Sequence, residues 1–167
     1  MFDESIHDRA RAVLDACRAA RLMLVCAESC TGGLVIGALT EIPGSSDVVE
    51  RGFVTYSDSA KSEMLGVPPA LIESHGAVSE AVAKAMAEGA LARAGPHAQV
   101  SVAVTGIAGP GSDSAAKPAG LVHLAAARRG KGVLHEKHEF GDVGRAAVRR
   151  ATVAAALDLI LKWLAQD

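Results

Sequence analysis

Aromatic side chains are scarce in this sequence: one Trp, one Tyr and three Phe in 167 residues, 3% in all. Half of the residues are nonetheless apolar, so any core must be assembled from Ala, Val, Leu and Ile. Charge of one sign is also missing. The formal net charge is -2 and no block of like charges occurs, which excludes the basic footprint of a nucleic-acid-binding surface. Cysteine is limited to Cys17, Cys26 and Cys30. An odd number without regular spacing argues against a disulfide framework. Cys26 and Cys30 have no His or further Cys close in sequence that would complete a zinc set. No segment approaches the roughly 20 apolar residues of a membrane span, and Met1 to Arg21 is charged and amphipathic, without the apolar core of a signal peptide. The expectation is a soluble cytoplasmic protein with reduced thiols, no metal and no cofactor, and contact with neither membrane nor nucleic acid.

What is present is an alternation of apolar strands and helices. The length favours one domain over residues 1–167. Ile6 to Arg21 places Ile6, Val13, Leu14 and Cys17 on one helical face. Leu22 to Cys26 reads as a first strand, and a helix follows from near Thr31 until shortly before Pro43-Gly44. Val48 to Tyr56 is a second strand. Ser59 to Leu65 is a short helix stopped by Gly66, Pro68-Pro69 opens another that ends near His75-Gly76, and Ser79-Glu80 begins a strong helix through about Arg93. Ala98 to Thr105 is a third strand, and Gly106 to Pro118 is a long Gly-, Pro- and Ser-rich loop of the kind that often serves function. Gly120 to Ala127 and Val133 to Phe140, joined by a few residues, predict an antiparallel hairpin, and a last helix spans about Val143 to Leu164. Helices between strands imply a three-layer α/β/α fold with crossover connections. The sheet should be mixed, mostly parallel, with the hairpin at its C-terminal end.

The stretch Ala27-Glu28-Ser29-Cys30-Thr31-Gly32-Gly33 sets Ser29 at a strand-to-helix junction. The first turn of a helix offers unpaired N–H groups and partial positive charge there, which suits a nucleophilic hydroxyl, an oxyanion or a phosphate. The plainer reading is that Ser29 or Thr31 only caps the helix. A serine hydroxyl needs a base to become a good nucleophile. Of the six histidines, His75, in the loop after a short helix, is the one worth retaining. No Asp stands in an obvious place to orient it, and no Ser-His-Asp motif is present. Lys61 is the other candidate, since a buried lysine can lose enough basicity to act as a base; the alternative is a solvated helix lysine. Tyr56 could stack on a ring, donate a hydrogen bond or be plain core. Thr105 ends the third strand and Gly106 opens a glycine-rich loop that is neither a P-loop nor a dinucleotide fingerprint. Arg145 lies in the first turn of the last helix, where the dipole disfavours it, which hints at an anionic partner.

Taken together, Ala27 to Gly33, Gly44-Ser45-Ser46, Arg51 to Ser57, Lys61, Met64-Leu65-Gly66-Val67, His75 to Glu80, Gly106 to Pro110, Lys117-Pro118 and Gly141-Asp142 resemble one family closely. It is that of the C-terminal domain of the competence-damage-inducible protein CinA, whose stand-alone members include nicotinamide-mononucleotide amidohydrolases. The resemblance runs from about Leu14 to Leu164. Gly111-Ser112-Asp113-Ser114 and Ala119-Gly120-Leu121 depart from the family pattern beside the site. The resemblance implies a metal-free amidase that releases ammonia from the nicotinamide amide, with Ser29 as nucleophile and Lys61 as base. Backbone N–H groups from Cys30 through Thr31 and Gly32 to Gly33 would hold the oxyanion. Ser46, Tyr56, His75, Thr105 and Gly106 would line the pocket, and Arg145 would meet the nucleotide phosphate. The expected partner is a small-molecule nucleotide, and the expected assembly a homo-oligomer, by default a dimer. The alternative from another class is a nucleotide-binding module without catalysis.

Overall fold

The computed structural model describes residues 2–112 and 114–166; Met1, Asp167 and Asp113, a member of the expected long loop, lie outside them. Helix α1 (Glu4–Ala20) leads into β1 (Leu24–Glu28), α2 (Leu34–Thr40), a 3-10 turn (Ser45–Asp47) and β2 (Val49–Val54). On the other side of β2 come α3 (Asp58–Leu65), α4 (Pro69–His75), α5 (Glu80–Ala94) and a second 3-10 turn (Gly95–His97). The chain continues through β3 (Val100–Gly106), β4 (Leu121–Arg128), β5 (Gly132–Glu139) and α6 (Arg145–Leu164). The strand order is β2-β1-β3-β4-β5. β1 pairs in parallel with β2 and β3, while the pairings β3–β4 and β4–β5 are antiparallel. β4 therefore runs against the other four strands, and the sheet is mixed as expected.

Strand alternation divides the core. Leu24 and Cys26 of β1, with Val100, Val102 and Val104 of β3, face α1, α2 and α6. Val25, Ala27 and Ala103 face α3, α4 and α5. The small side chains on this second face let α5 lie close to the sheet, where Ser101 Oγ donates to the Ala87 carbonyl at 2.7 Å. Because successive side chains of a strand point to opposite faces, Glu28 is directed towards α2 and Ser29 towards α3. Ser29 stays in register beyond the end of β1, its N–H donating to Val104 O at 3.0 Å.

Three boundaries differ from the sequence reading. β1 begins at Leu24 rather than Leu22, because Arg21 and Leu22 close α1 and Met23 is held by Gln99. Arg21 adopts φ 56 as the cap, and Leu22 N–H donates to Cys17 O. The strand then runs on through Glu28, a charged residue that would ordinarily end a buried strand. α2 begins at Leu34 rather than near Thr31, since Gly32 and Gly33 take φ 58 and φ 95, a left-handed conformation costly for a residue with a Cβ. The remaining elements lie within about two residues of expectation, a usual disagreement for element ends.

The position of α3 depends on α5. A Cβ added at Gly89, in the middle of α5, would collide with the Leu65 carbonyl oxygen and stand 3.0 Å from its carbonyl carbon. Helix propensity alone would favour Ala there by about 1 kcal/mol, whereas overpacking against rigid backbone costs about 1–3 kcal/mol. Gly89→Ala is therefore expected to lower the thermal midpoint. An unchanged or raised midpoint in thermal unfolding would contradict so close a seat for α3.

Candidate active site

The carboxylate of Glu28, 1% exposed, turns into the start of α2. It accepts from the N–H groups of Gly33 and Val35 at 3.0 Å each and from Ile36 at 2.9 Å. These are orphan donors of a helix N-terminus, and the negative charge is well placed against the helix dipole. The cap residue of α2 is Gly33, which has no capping side chain. Neither Ser29 nor Thr31 caps this helix, so the plainer sequence reading falls. Glu28 was not singled out in the sequence. The available signal was an acid at a strand end, of the parity that faces the next helix, in front of a Gly-Gly pair.

Ser29 is thereby left to the opposite face, where α3 brings Lys61. The Lys61 amine, 1% exposed, lies 3.2 Å from Ser29 Oγ. It donates to the carbonyls of Thr55 and Tyr56 at 3.1 Å each and to Ser57 O at 3.4 Å. A neutral amine has two N–H groups and one lone pair. Two donors suit the two nearer carbonyls, and the lone pair can accept the serine proton. Burial pushes the lysine pKa below its ordinary 10.5, with Asp58, 4.0 Å away and largely exposed, pulling it partly back. Cys30, beside Ser29, is a poor nucleophile: burial pushes its thiol up to about 12, so it stays protonated at neutral pH. Among the described residues Ser29 Oγ has no histidine partner.

The structure brings some of the other expected residues to this end of the sheet and not others. Ser29, Tyr56, Thr105 and Gly106 all stand at the carboxyl ends of β1, β2 and β3, where ligands of open α/β sheets bind. Tyr56 is 61% exposed, and its hydroxyl accepts from Arg145 Nη2 at 3.0 Å, while Arg145 Nη1 donates to Gly109 O at 3.0 Å. Thr105 Oγ1 donates to Ala77 O at 2.8 Å. Gly106 pairs with Val122 in the ladder, and a Cβ there would stand 2.7 Å from Val122 Cγ2, so close strand packing already explains this glycine. His75 ends α4, and its carbonyl accepts from Lys117 at 2.8 Å. Ser46 lies in the 3-10 turn that precedes β2. It is at the opposite end of a parallel strand pair from Ser29, more than about 15 Å away at 3.3 Å per strand residue, and within one chain the two do not meet.

The amides of the turn are not equivalent. Gly32 N–H donates to Ser29 O at 3.0 Å, and Gly33 N–H is held by Glu28. Neither is free for a ligand, which narrows the expected oxyanion donors to Cys30 and Thr31. On the other side of the turn Arg149, in α6, donates to Cys30 O at 3.1 Å and to Thr31 O at 2.8 Å. Sequence reading passed over Arg149; its signal was the spacing of four from Arg145, which puts both on one helical face. Among the described residues Thr31 Oγ1 and Thr55 Oγ1, both buried, have no hydrogen-bond partner.

The layers define an α/β protein with a buried serine–lysine contact at the carboxyl ends of its parallel strands. The chain belongs to the CinA family: residues 6–164 match the family model of the CinA C-terminal domain. The crystal structure of the competence/damage inducible protein CihA from Agrobacterium tumefaciens superposes with a TM-score of 0.94 at 52% identity, covering 99% of each chain. The nicotinamide-nucleotide amidohydrolase PncC of Enterobacter agglomerans is 45% identical over 163 residues, 97% of each chain. The CinA-like protein of Akkermansia muciniphila is 61% identical over 104 residues, 62% of this chain. That stretch is 25% of the larger protein, so the chain spans only a minor part of the long relatives it matches.

A lysine whose folded-state pKa lies below 10.5 sheds its proton in the folded protein first. Below both values the charged amine weighs on the fold. Between them the unfolded chain holds more protons, so stability rises with pH. In urea unfolding, wild type is expected to gain stability relative to Lys61→Met as pH climbs beneath 10.5, and to level off above it. A difference that does not change with pH would contradict a depressed lysine.

Proposed function

We propose that this chain is an amidohydrolase that converts nicotinamide mononucleotide to nicotinate mononucleotide and ammonia, with Ser29 as nucleophile and Lys61 as base. The observation that carries the reading is the buried lysine amine 3.2 Å from the serine hydroxyl. The name of the relative that matches end to end supports the substrate class. Ser29 Oγ attacks the carboxamide carbon while the Lys61 lone pair takes its proton. The carbonyl oxygen becomes an oxyanion, for which the Cys30 and Thr31 amides are the donors. As the C–N bond breaks, the Lys61 ammonium returns that proton to the departing nitrogen, and ammonia leaves. Water then attacks the acyl ester, Lys61 accepting its proton and passing it back to Ser29 Oγ. Nothing in these steps calls for a metal or a cofactor. Three free, buried thiols fit work in the reducing cytoplasm.

Arg145 is the group proposed for the phosphate. It stands at the start of α6 on the Tyr56 side of the site, and each of its terminal nitrogens keeps a second N–H beyond the bond it makes to Tyr56 or Gly109. A planar guanidinium suits bidentate contact with phosphate.

Purified protein is expected to release ammonia from nicotinamide mononucleotide, and Ser29→Ala should lower kcat by roughly 10³-fold or more with an unchanged thermal midpoint. A folded Ser29→Ala protein that still turns over would sink the mechanism, and a folded wild type that binds the nucleotide without releasing ammonia would favour a binding module. Arg145→Ala should raise KM for the nucleotide by roughly ten- to hundred-fold, the size of one lost charge-assisted hydrogen bond, and leave the dephosphorylated riboside almost unaffected. Equal losses on both substrates would place the phosphate elsewhere, with Lys117 the next residue to test.

A further inference from the structure

We propose that Arg149 is a positioning residue: by holding the carbonyls of Cys30 and Thr31 it aims the Cys30 and Thr31 amides at the oxyanion. The inference rests on the serine–lysine reading given above and concerns how that site is kept in order. In a trans peptide the C=O and N–H point in opposite directions. Arg149 Nε holds Cys30 O, so the N–H of Thr31, on the same peptide, is directed away from α6. The Ser29 carbonyl accepts from Gly32 N–H, which fixes the peptide that carries the Cys30 N–H. The Thr31 carbonyl is held by Arg149 Nη2, and Glu28 fixes the Gly33 amide from the α2 side. Every peptide of the turn is therefore pinned at one end, and among the described residues the amides of Cys30 and Thr31, the nucleophile's next two residues, donate to no other residue. The residue after the nucleophile is the usual source of one oxyanion donor at a strand-to-helix turn.

Arg149 is suited to this task and poorly placed for another. It is half-buried, and two of its nitrogens are committed to neighbouring carbonyls at 3.1 and 2.8 Å. Neither carbonyl is an anion, so the charge is not there for an ion pair. A planar fork can hold two successive carbonyls at once, which a lysine cannot do with the same geometry. Arg145, one turn earlier on the same face, holds Gly109 O and the Tyr56 hydroxyl instead. The start of α6 thus brings two guanidinium groups to the site, one oriented to the pocket rim and one to the turn behind the nucleophile.

The test uses a fluorophosphonate probe, whose reaction needs no nucleotide. Ser29 Oγ forms a bond to phosphorus, the P–F bond breaks, fluoride leaves, Lys61 takes the hydroxyl proton, and the phosphonyl oxygen occupies the oxyanion position. Intact-protein mass gives the rate of labelling. Wild type should be labelled at Ser29, and Ser29→Ala should not. Arg149→Lys and Arg149→Ala should be labelled roughly ten- to hundred-fold more slowly, and their amide turnover should lose kcat by a similar factor with KM kept, since donors that are misaimed but still present cost less than the about 10²–10³-fold of a donor removed outright. Guanidinium ion, well below denaturing concentration, should restore part of the Arg149→Ala rate. Labelling and turnover at wild-type rates in a folded Arg149→Lys protein would overturn the proposal and leave the serine–lysine reading intact. So would losses without guanidinium rescue that track a fall in thermal midpoint. A wild type that is neither labelled nor active would bring down both together.

Discussion

An amine kept out of water is the constraint around which the rest of this site is arranged. Lys61 is almost fully covered, and burying a cation without a partner anion is costly. The protein answers with backbone carbonyls. Thr55, Tyr56 and Ser57, the residues between β2 and α3, all turn their oxygens towards Nζ. That arrangement fixes the side chain while leaving the Asp58 carboxylate at 4.0 Å and out in solvent. A tightly paired buried carboxylate would have kept the lysine protonated. Carbonyl dipoles orient it without forcing that outcome, and burial does the rest. The same logic explains why α3 must sit where it does, and why α5 carries a glycine beneath Leu65.

Adjacent residues Glu28 and Ser29 work on opposite faces of the sheet. The pleat sends the carboxylate to α2 and the hydroxyl to α3. Glu28 satisfies three helix amides that a phosphate or an oxyanion would otherwise find open, so the start of α2 is closed to ligands. Arg149 then secures the turn between them through its carbonyls. One acidic and one basic side chain, neither in contact with Ser29 Oγ, shape the surroundings in which the hydroxyl is presented.

Much of this could be read from the sequence. Elements with clear punctuation were legible, such as α3, stopped by Gly66, or α5 from Ser79 to Gly95, because capping residues and glycines act locally. Ser29 and Lys61 were legible as candidates, but their meeting was not, since only the parity of β1 and the seat of α3 determine it. Glu28 escaped notice because a charged residue reads as the end of a strand; it is buried only because three amides await it. The start of α2 was misjudged for a related reason, the helix amides being satisfied by a carboxylate six residues before its first residue, Leu34. Ser46 belongs to a motif that matches the family, yet sequence proximity to β2 conceals that it lies at the far end of that strand. Arg149 looked like one more charge on a helix until its carbonyl partners were visible.

The central claim is that Ser29 becomes acylated and that Lys61 serves both halves of the reaction. Partitioning between water and hydroxylamine tests it most directly. Nicotinamide mononucleotide and the methyl ester of nicotinate mononucleotide share one acyl group but differ in leaving group. If both pass through the same acyl-Ser29, the ratio of hydroxamate to acid must be identical for the two at every hydroxylamine concentration. A ratio that depends on the leaving group would mean that water attacks the substrate directly, and the account of Ser29 as nucleophile would be wrong.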